Sequence, residues 1–263
     1  MPDIAPDSRH AAKVFPSPNH GARNGGRAPD MLVLHYTGMR DAGAALRRLC
    51  DPIAEVSCHY FVFEDGRILQ LVPEARRAWH AGAGFWAGER DINSASIGIE
   101  IANPGHEHGY VAFPEAQIAA LMPLCTDICA RWRIGPARVL AHSDTAPERK
   151  EDPGEKFPWD RLHAAGIGHW VPPAPISGGR FFAQGDAGPP VEALQAMLAL
   201  YGYGIAVDGS YGPRTAAVIR AFQRHFRPER VDGVADSSTI TTLRDLLAAM
   251  PGEEALKTSA PAT

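Results

Sequence analysis

Three residues able to share a cation stand where a rigid sheet would display them, at strand ends and in a loop. His35 lies at the end of the apolar run Met31-Leu32-Val33-Leu34-His35-Tyr36, His142 closes Val139-Leu140-Ala141-His142, and Asp152 sits in Glu151-Asp152-Pro153-Gly154. Two imidazoles and one carboxylate would leave one tetrahedral position of zinc open, the arrangement of a hydrolytic rather than a structural site. Spacing alone does not select this trio from the 11 histidines of the chain. A fourth group, Glu100, lies in Ser96-Ile97-Gly98-Ile99-Glu100-Ile101-Ala102, where the three isoleucines share one face and Gly98, Glu100 and Ala102 the other. A carboxylate between two small residues is out of place against a core and suits the floor of a cleft. Taken by itself it reads rather as a structural carboxylate paired with an arginine. Lys150, within Glu148-Arg149-Lys150-Glu151-Asp152, reads on its own as part of a solvated mixed-charge loop.

Periodicity indicates the elements that must carry these groups. Residues 31–36 suit a short strand buried on both faces, and 139–142 a second. Ala42–Cys50 reads as a helix. Val56–Val62 and Ile68–Val72, joined by Glu64-Asp65-Gly66-Arg67, read as a hairpin, because Asp-Gly supplies the positive φ its turn needs. Ile118, Leu121, Met122, Cys125, Ile128, Cys129 and Trp132 fall at helical spacing, with Pro114 suited to the first turn and Pro123 expected to cost a hydrogen bond and to kink the helix. Strands interleaved with helices predict an α/β domain with a mixed central sheet flanked by helices.

That domain is placed at residues 30–170, after an extended polar leader over 1–29. Val171 to Pro190 holds five Pro and four Gly in 20 residues, which predicts a linker, a tether crossed by few contacts. Residues 191–250 read as a small all-α three-helix domain, with helices at 191–201, 215–226 and 238–247, and 251–263 as a flexible tail. Val207-Asp208-Gly209 before Thr215 and Val231-Asp232-Gly233 before Thr239 repeat at one spacing, each a tight turn feeding a helix start. A module of this size suggests binding rather than catalysis.

Composition narrows the function classes. The chain has 263 residues, 45% hydrophobic, with 26 basic and 30 acidic side chains and a net charge of −4. It has apolar side chains enough for a core, and no basic block of the kind nucleic-acid or polybasic membrane binding would use. No window approaches the length of an apolar membrane span. Four cysteines are too sparse for a disulfide framework and lack paired CxxC zinc spacing, so Cys125 and Cys129 are read as small hydrophobes. Without a basic region and apolar core at the N-terminus, the expected compartment is the cytoplasm, with the periplasm or cell envelope as the alternative if an export signal has been trimmed.

Several motifs then occur in order: Leu34-His35-Tyr36-Thr37-Gly38, Ser57-Cys58-His59-Tyr60, Ala78-Trp79-His80-Ala81-Gly82, Ile97-Gly98-Ile99-Glu100, Ala141-His142-Ser143-Asp144 and Arg149-Lys150-Glu151-Asp152-Pro153-Gly154. The stretch from about Leu32 to Leu162 resembles the zinc-dependent N-acetylmuramoyl-L-alanine amidases of the type-2 amidase family, which includes the peptidoglycan recognition proteins. The C-terminal part, with Gly188-x-x-Val191-x-x-Leu194-Gln195, Asp208-Gly209-x-Tyr211-Gly212-x-x-Thr215 and Phe222-Gln223, resembles the common three-helix peptidoglycan-binding module.

The resemblance implies that His35, His142 and Asp152 hold one Zn2+ ion, that Glu100 activates the attacking water, and that Lys150 stabilises the developing oxyanion. It implies a groove in which Trp79 and Asn103 contact substrate, with His59 and His80 lining or packing it rather than binding metal. His106 and His108, beside a Gly-rich loop, are expected at the surface. The implied reaction is hydrolysis of the amide between N-acetylmuramic acid, or its anhydro form, and L-alanine of the stem peptide, in cell-wall turnover or muropeptide recycling. The partner would be peptidoglycan or a muropeptide, with no nucleic acid. Two other readings are a non-catalytic peptidoglycan-binding protein and a zinc peptidase acting within the stem.

Overall fold

Alternation at residues 96–101 determines which side chains meet the core and which meet the cleft. A computed structural model describes residues 5–179 and 181–250. The elements run β1 (Lys13–Val14), β2 (His20–Ala22), β3 (Met31–Tyr36), α1 (Ala42–Leu49), β4 (Tyr60–Val62), β5 (Ile68–Gln70), β6 (Arg76–Ala78), α2 (Ile92–Ala95), β7 (Ser96–Ile101), α3 (Glu115–Trp132), β8 (Val139–Ala141), α4 (His142–Thr145) and α5 (Trp159–Ala164). Three helices follow: α6 (Pro189–Tyr201), α7 (Pro213–Phe226) and α8 (Ser237–Ala248). Six strands in the order β1-β5-β4-β7-β3-β8 form a mixed sheet, antiparallel only between β4 and β5, while β2 and β6 pair as a separate ribbon. This is the mixed sheet with flanking helices that the periodicity predicts.

Ile97, Ile99 and Ile101 join Leu32 and Leu34 against Ile118, Leu121, Cys125 and Ile128 of α3. α3 runs unbroken through Pro123. The other face of β7 is the one that matters for chemistry. There the parallel register sets His35 beside Glu100, and pairs Leu34 with Ala141, so His142 leaves β8 next to His35. Gly98 is required on this face, because a methyl at its position would collide with the His80 ring.

Two expectations are corrected. The polar stretch 1–29 is no leader in its described part: Ala12 and Phe15 donate backbone N–H groups to Ile68 and Gln70 at 2.8 Å, which makes β1 an edge strand. Arg23, buried, donates to the carbonyls of Glu74, Ser94 and Ser96 at 2.8–3.1 Å. A guanidinium whose donors meet main-chain acceptors sews this segment into the domain.

Among its described residues the stretch 171–188 has no helix, but it is no loose tether either. Ala174 bonds Thr242 and Ser238 through its N–H and C=O, and Trp170, Val171 and Phe182 pack on the helical core. Proline and glycine content reports backbone conformation, not whether side chains find a surface. One apolar cluster passes from Met31, Val33 and Leu140 through Trp86 into Val191, Leu198 and Phe222. Trp86, 1% exposed, lies edge-on to Tyr201 and Tyr203, with ring centroids at 5.9 and 4.9 Å. The tail over 251–263 lies outside the described residues. Among those residues no helix is long and apolar enough to cross a membrane.

A shared core predicts one cooperative unit. Calorimetry of the full chain is expected to give a single unfolding transition. Trp86→Ala should lower the stability of that whole transition by about 3–5 kcal/mol, the usual cost of truncating a buried aromatic. Two separate transitions, only one of them moved by Trp86→Ala, would show two independent domains.

Candidate active site

Two strand ends and one returning loop bring the ligand-type residues together. His35 is the fifth residue of β3, and His142 the first of α4, directly after β8. Asp152 is drawn back to the same place because its carbonyl accepts the Ser143 N–H at 3.0 Å. His35 Nδ1, His142 Nδ1 and Asp152 Oδ2 then lie 2.9–3.0 Å from one another, all on buried residues.

Hydrogen bonds behind the imidazoles determine where their protons sit. His142 Nε2 faces the Ala81 carbonyl at 2.9 Å, which can only accept, so this nitrogen carries the proton and Nδ1 a lone pair. Behind His35 runs a longer relay. Ser96 Oγ donates to the Ile92 carbonyl and so accepts from His80 Nε2 at 3.2 Å. His80 Nδ1 is therefore an acceptor, and takes the proton of His35 Nε2 at 3.0 Å. His35 Nδ1 is left with a lone pair as well. Burial, with His142 beside it, pushes the His35 pKa down to about 4, consistent with a neutral ring. Three acceptors thus converge with no proton among them, a donor set that fits a cation.

The cluster opens on a cleft of about 390 Å³ whose lining includes Trp79, His80, Glu100, Arg149 and Lys150. Glu100 Oε2 is buried without a hydrogen-bond partner. Burial raises the Glu100 pKa well above 4.5, and the charge of Asp152 adds to the effect. The Lys150 amine lines the cleft and has no ion-pair partner among the described residues.

The remaining sequence candidates divide. Trp79 is on the cleft wall, half-buried. His80 touches the cleft and also backs His35. His59 is buried away from the cleft lining, accepting the Gly98 N–H at Nδ1 and facing the Arg76 carbonyl with Nε2. Asn103 is spent on its own loop, donating to the Val111 carbonyl and accepting the Gly105 N–H. His106, expected at the surface, instead lines the cleft between Tyr36 and Glu155, at 2.9 and 3.0 Å. No motif signalled that role, because Glu155 and Tyr36 are distant in sequence.

Comparison with known proteins identifies the family. A family model described as N-acetylmuramoyl-L-alanine amidase matches residues 25–155, and one described as putative peptidoglycan binding domain matches 187–243. The N-acetylmuramoyl-L-alanine amidase AmiD of Escherichia coli is 42% identical over 233 residues, 82% of each chain. The chain belongs to this amidase family. Among solved structures of the family, AmiD in complex with anhydro-N-acetylmuramic acid-L-Ala-D-gamma-Glu-L-Lys matches with a TM-score of 0.74 and 39% identity, covering 87% of this chain and 92% of that one. AmpDh3 of Pseudomonas aeruginosa in complex with an anhydromuramic pentapeptide matches with a TM-score of 0.70 and 31% identity, covering 96% and 100%.

The unpartnered carboxyl of this amidase-family chain yields a pH prediction. A carboxyl whose folded pKa is raised destabilises the fold once pH passes its unfolded value of about 4.5, increasingly so up to the folded pKa. In metal-free protein, Glu100→Gln is therefore expected to raise the thermal midpoint at about pH 8 and to change it little at about pH 4. A fall at the higher pH would reveal a partner that stabilises the carboxylate.

Proposed function

We propose that this chain is a zinc-dependent amidase that cleaves between N-acetylmuramic acid, or its anhydro form, and L-alanine of the stem peptide. The observation that carries the reading is the trio of unprotonated acceptors on His35, His142 and Asp152, set beside an unpartnered Glu100 carboxyl in an open cleft. These three residues would hold the metal, and zinc in such a site polarises a carbonyl and lowers the pKa of water.

The chain's own groups supply the rest. Glu100 takes the proton of the attacking water as its oxygen adds to the carbonyl carbon. The carboxyl then returns that proton to the alanine nitrogen as the C–N bond breaks. Its raised pKa suits a group that must first accept and then donate. The Lys150 ammonium, unpaired in the cleft, faces the negative charge that builds on the carbonyl oxygen. Trp79 offers an apolar wall for a sugar or peptide face. The helical module, which matches a peptidoglycan-binding description, would add a contact to the polymer.

The test is a defined muropeptide, soluble or within sacculi, with products read by mass spectrometry. Release of an intact stem peptide beginning with L-alanine is expected. Cleavage inside the stem would mean a peptidase, and binding without cleavage a sensor. Glu100→Gln should lower turnover by roughly 10²–10⁴-fold with zinc content unchanged. Asp152→Ala should lose both zinc and turnover, and a metal-free protein of full activity would end the reading.

A further inference from the structure

Asp144 is fully buried, two residues beyond His142, and its carboxyl accepts three hydrogen bonds. One is from its own turn, the Ala141 N–H at 2.8 Å. The other two come from the helical module: the Tyr203 hydroxyl at 2.7 Å and His225 Nδ1 at 2.7 Å. His225 is itself fixed in place, stacked between Trp159 and Phe226 with centroids at 3.7 and 3.8 Å. We propose that Tyr203 and His225 are positioning residues for the metal centre, and that the C-terminal module is part of the scaffold that aims His142.

Two further contacts converge on the same segments. Arg224, next to His225, pairs with Glu151, the neighbour of Asp152. On the opposite side of the His142 ring, Ala81 supplies the carbonyl that fixes its tautomer. The chain from Ala81 leads to Phe85, whose N–H bonds Thr145 of α4 at 2.8 Å, and to Trp86, whose indole meets Tyr201 and Tyr203. The His142 turn is therefore gripped through Asp144 on one side and through residues 81–86 on the other, and both grips end on the module. A ligand ring free to tilt loses the convergence of lone pairs that a cation needs, and partners that orient ligands commonly affect metal affinity by about 10–100-fold.

This inference rests on the zinc reading above, and the experiment separates the two. Full-length protein is stripped of metal and its zinc affinity measured by competition with a chromophoric chelator, alongside a thermal melt. Tyr203→Phe and His225→Phe remove one donor each while keeping ring volume and stacking. Tyr211→Phe is the control, since the Tyr211 hydroxyl bonds the Gly233 carbonyl within the module. The expected result is zinc binding weakened about ten-fold in the first two variants and unchanged in Tyr211→Phe, whatever the shifts in melting. Parent-like zinc affinity in Tyr203→Phe and His225→Phe, with only the melting point lowered, would overturn the proposal and leave the contacts as packing. A parent protein that takes up no zinc would overturn the metal reading itself, and this inference with it.

Discussion

Three proton acceptors held within 3.0 Å of one another repel, and the surrounding structure is the means of keeping them there. Each is fixed from behind by groups that cannot yield: a main-chain carbonyl for His142, the His80–Ser96 relay for His35, and the Ser143 amide that ties back the Asp152 loop. The parallel register of β3 with β7 and β8 brings the bases into range, and Gly98 opens the space in which His80 stands. A donor set prepared in this way loses little freedom when a cation arrives, which is how affinity and orientation are gained together.

Much of this was legible in the sequence because period and chemistry pointed the same way. The isoleucines of β7 mark one core face; opposite them Glu100 lines the cleft as expected, but Gly98 makes room for His80 and Ala102 joins a second apolar cluster. The resemblance picked out His35, His142 and Asp152, and the fold brings all three together. The relay behind His35 was not legible, because it depends on His80 reaching across Gly98 from a neighbouring segment. Asn103 and His59 stand within or beside motifs, yet their polar atoms are consumed by local backbone. A motif marks that a residue belongs to the neighbourhood of a site, and only geometry tells whether its polar atoms are free. The polar N-terminal stretch misled for a related reason: a two-residue edge strand and one buried arginine leave no periodic trace.

The helical module shows its own internal economy. Gln195 and Gln223 each donate to an aspartate, a carbonyl and a threonine, Asp208, Ser210 and Thr215 for the first and Asp232, Val234 and Thr239 for the second. Each also accepts the two N–H groups of the Asp-Gly turn it closes. One buried amide thus satisfies a whole loop, twice, which explains the repeat visible in sequence and gives a rigid body on which Tyr203 and His225 can stand.

The order of strands has a consequence in time. β3, one strand in from the edge of the sheet, has as its neighbours β7 and β8, which lie about 65 and 107 residues later in the chain. As the chain leaves the ribosome, the wholly buried run Met31 to Leu34 must therefore wait without a partner until β7 has emerged, and keeps one edge open until residue 141 follows. An apolar strand with two open edges is the kind of segment that pairs with the wrong neighbour. Its protection during that interval has to come from outside the finished fold, so the yield of soluble protein in a cell is set by synthesis rate and by chaperones as much as by the stability of the final structure.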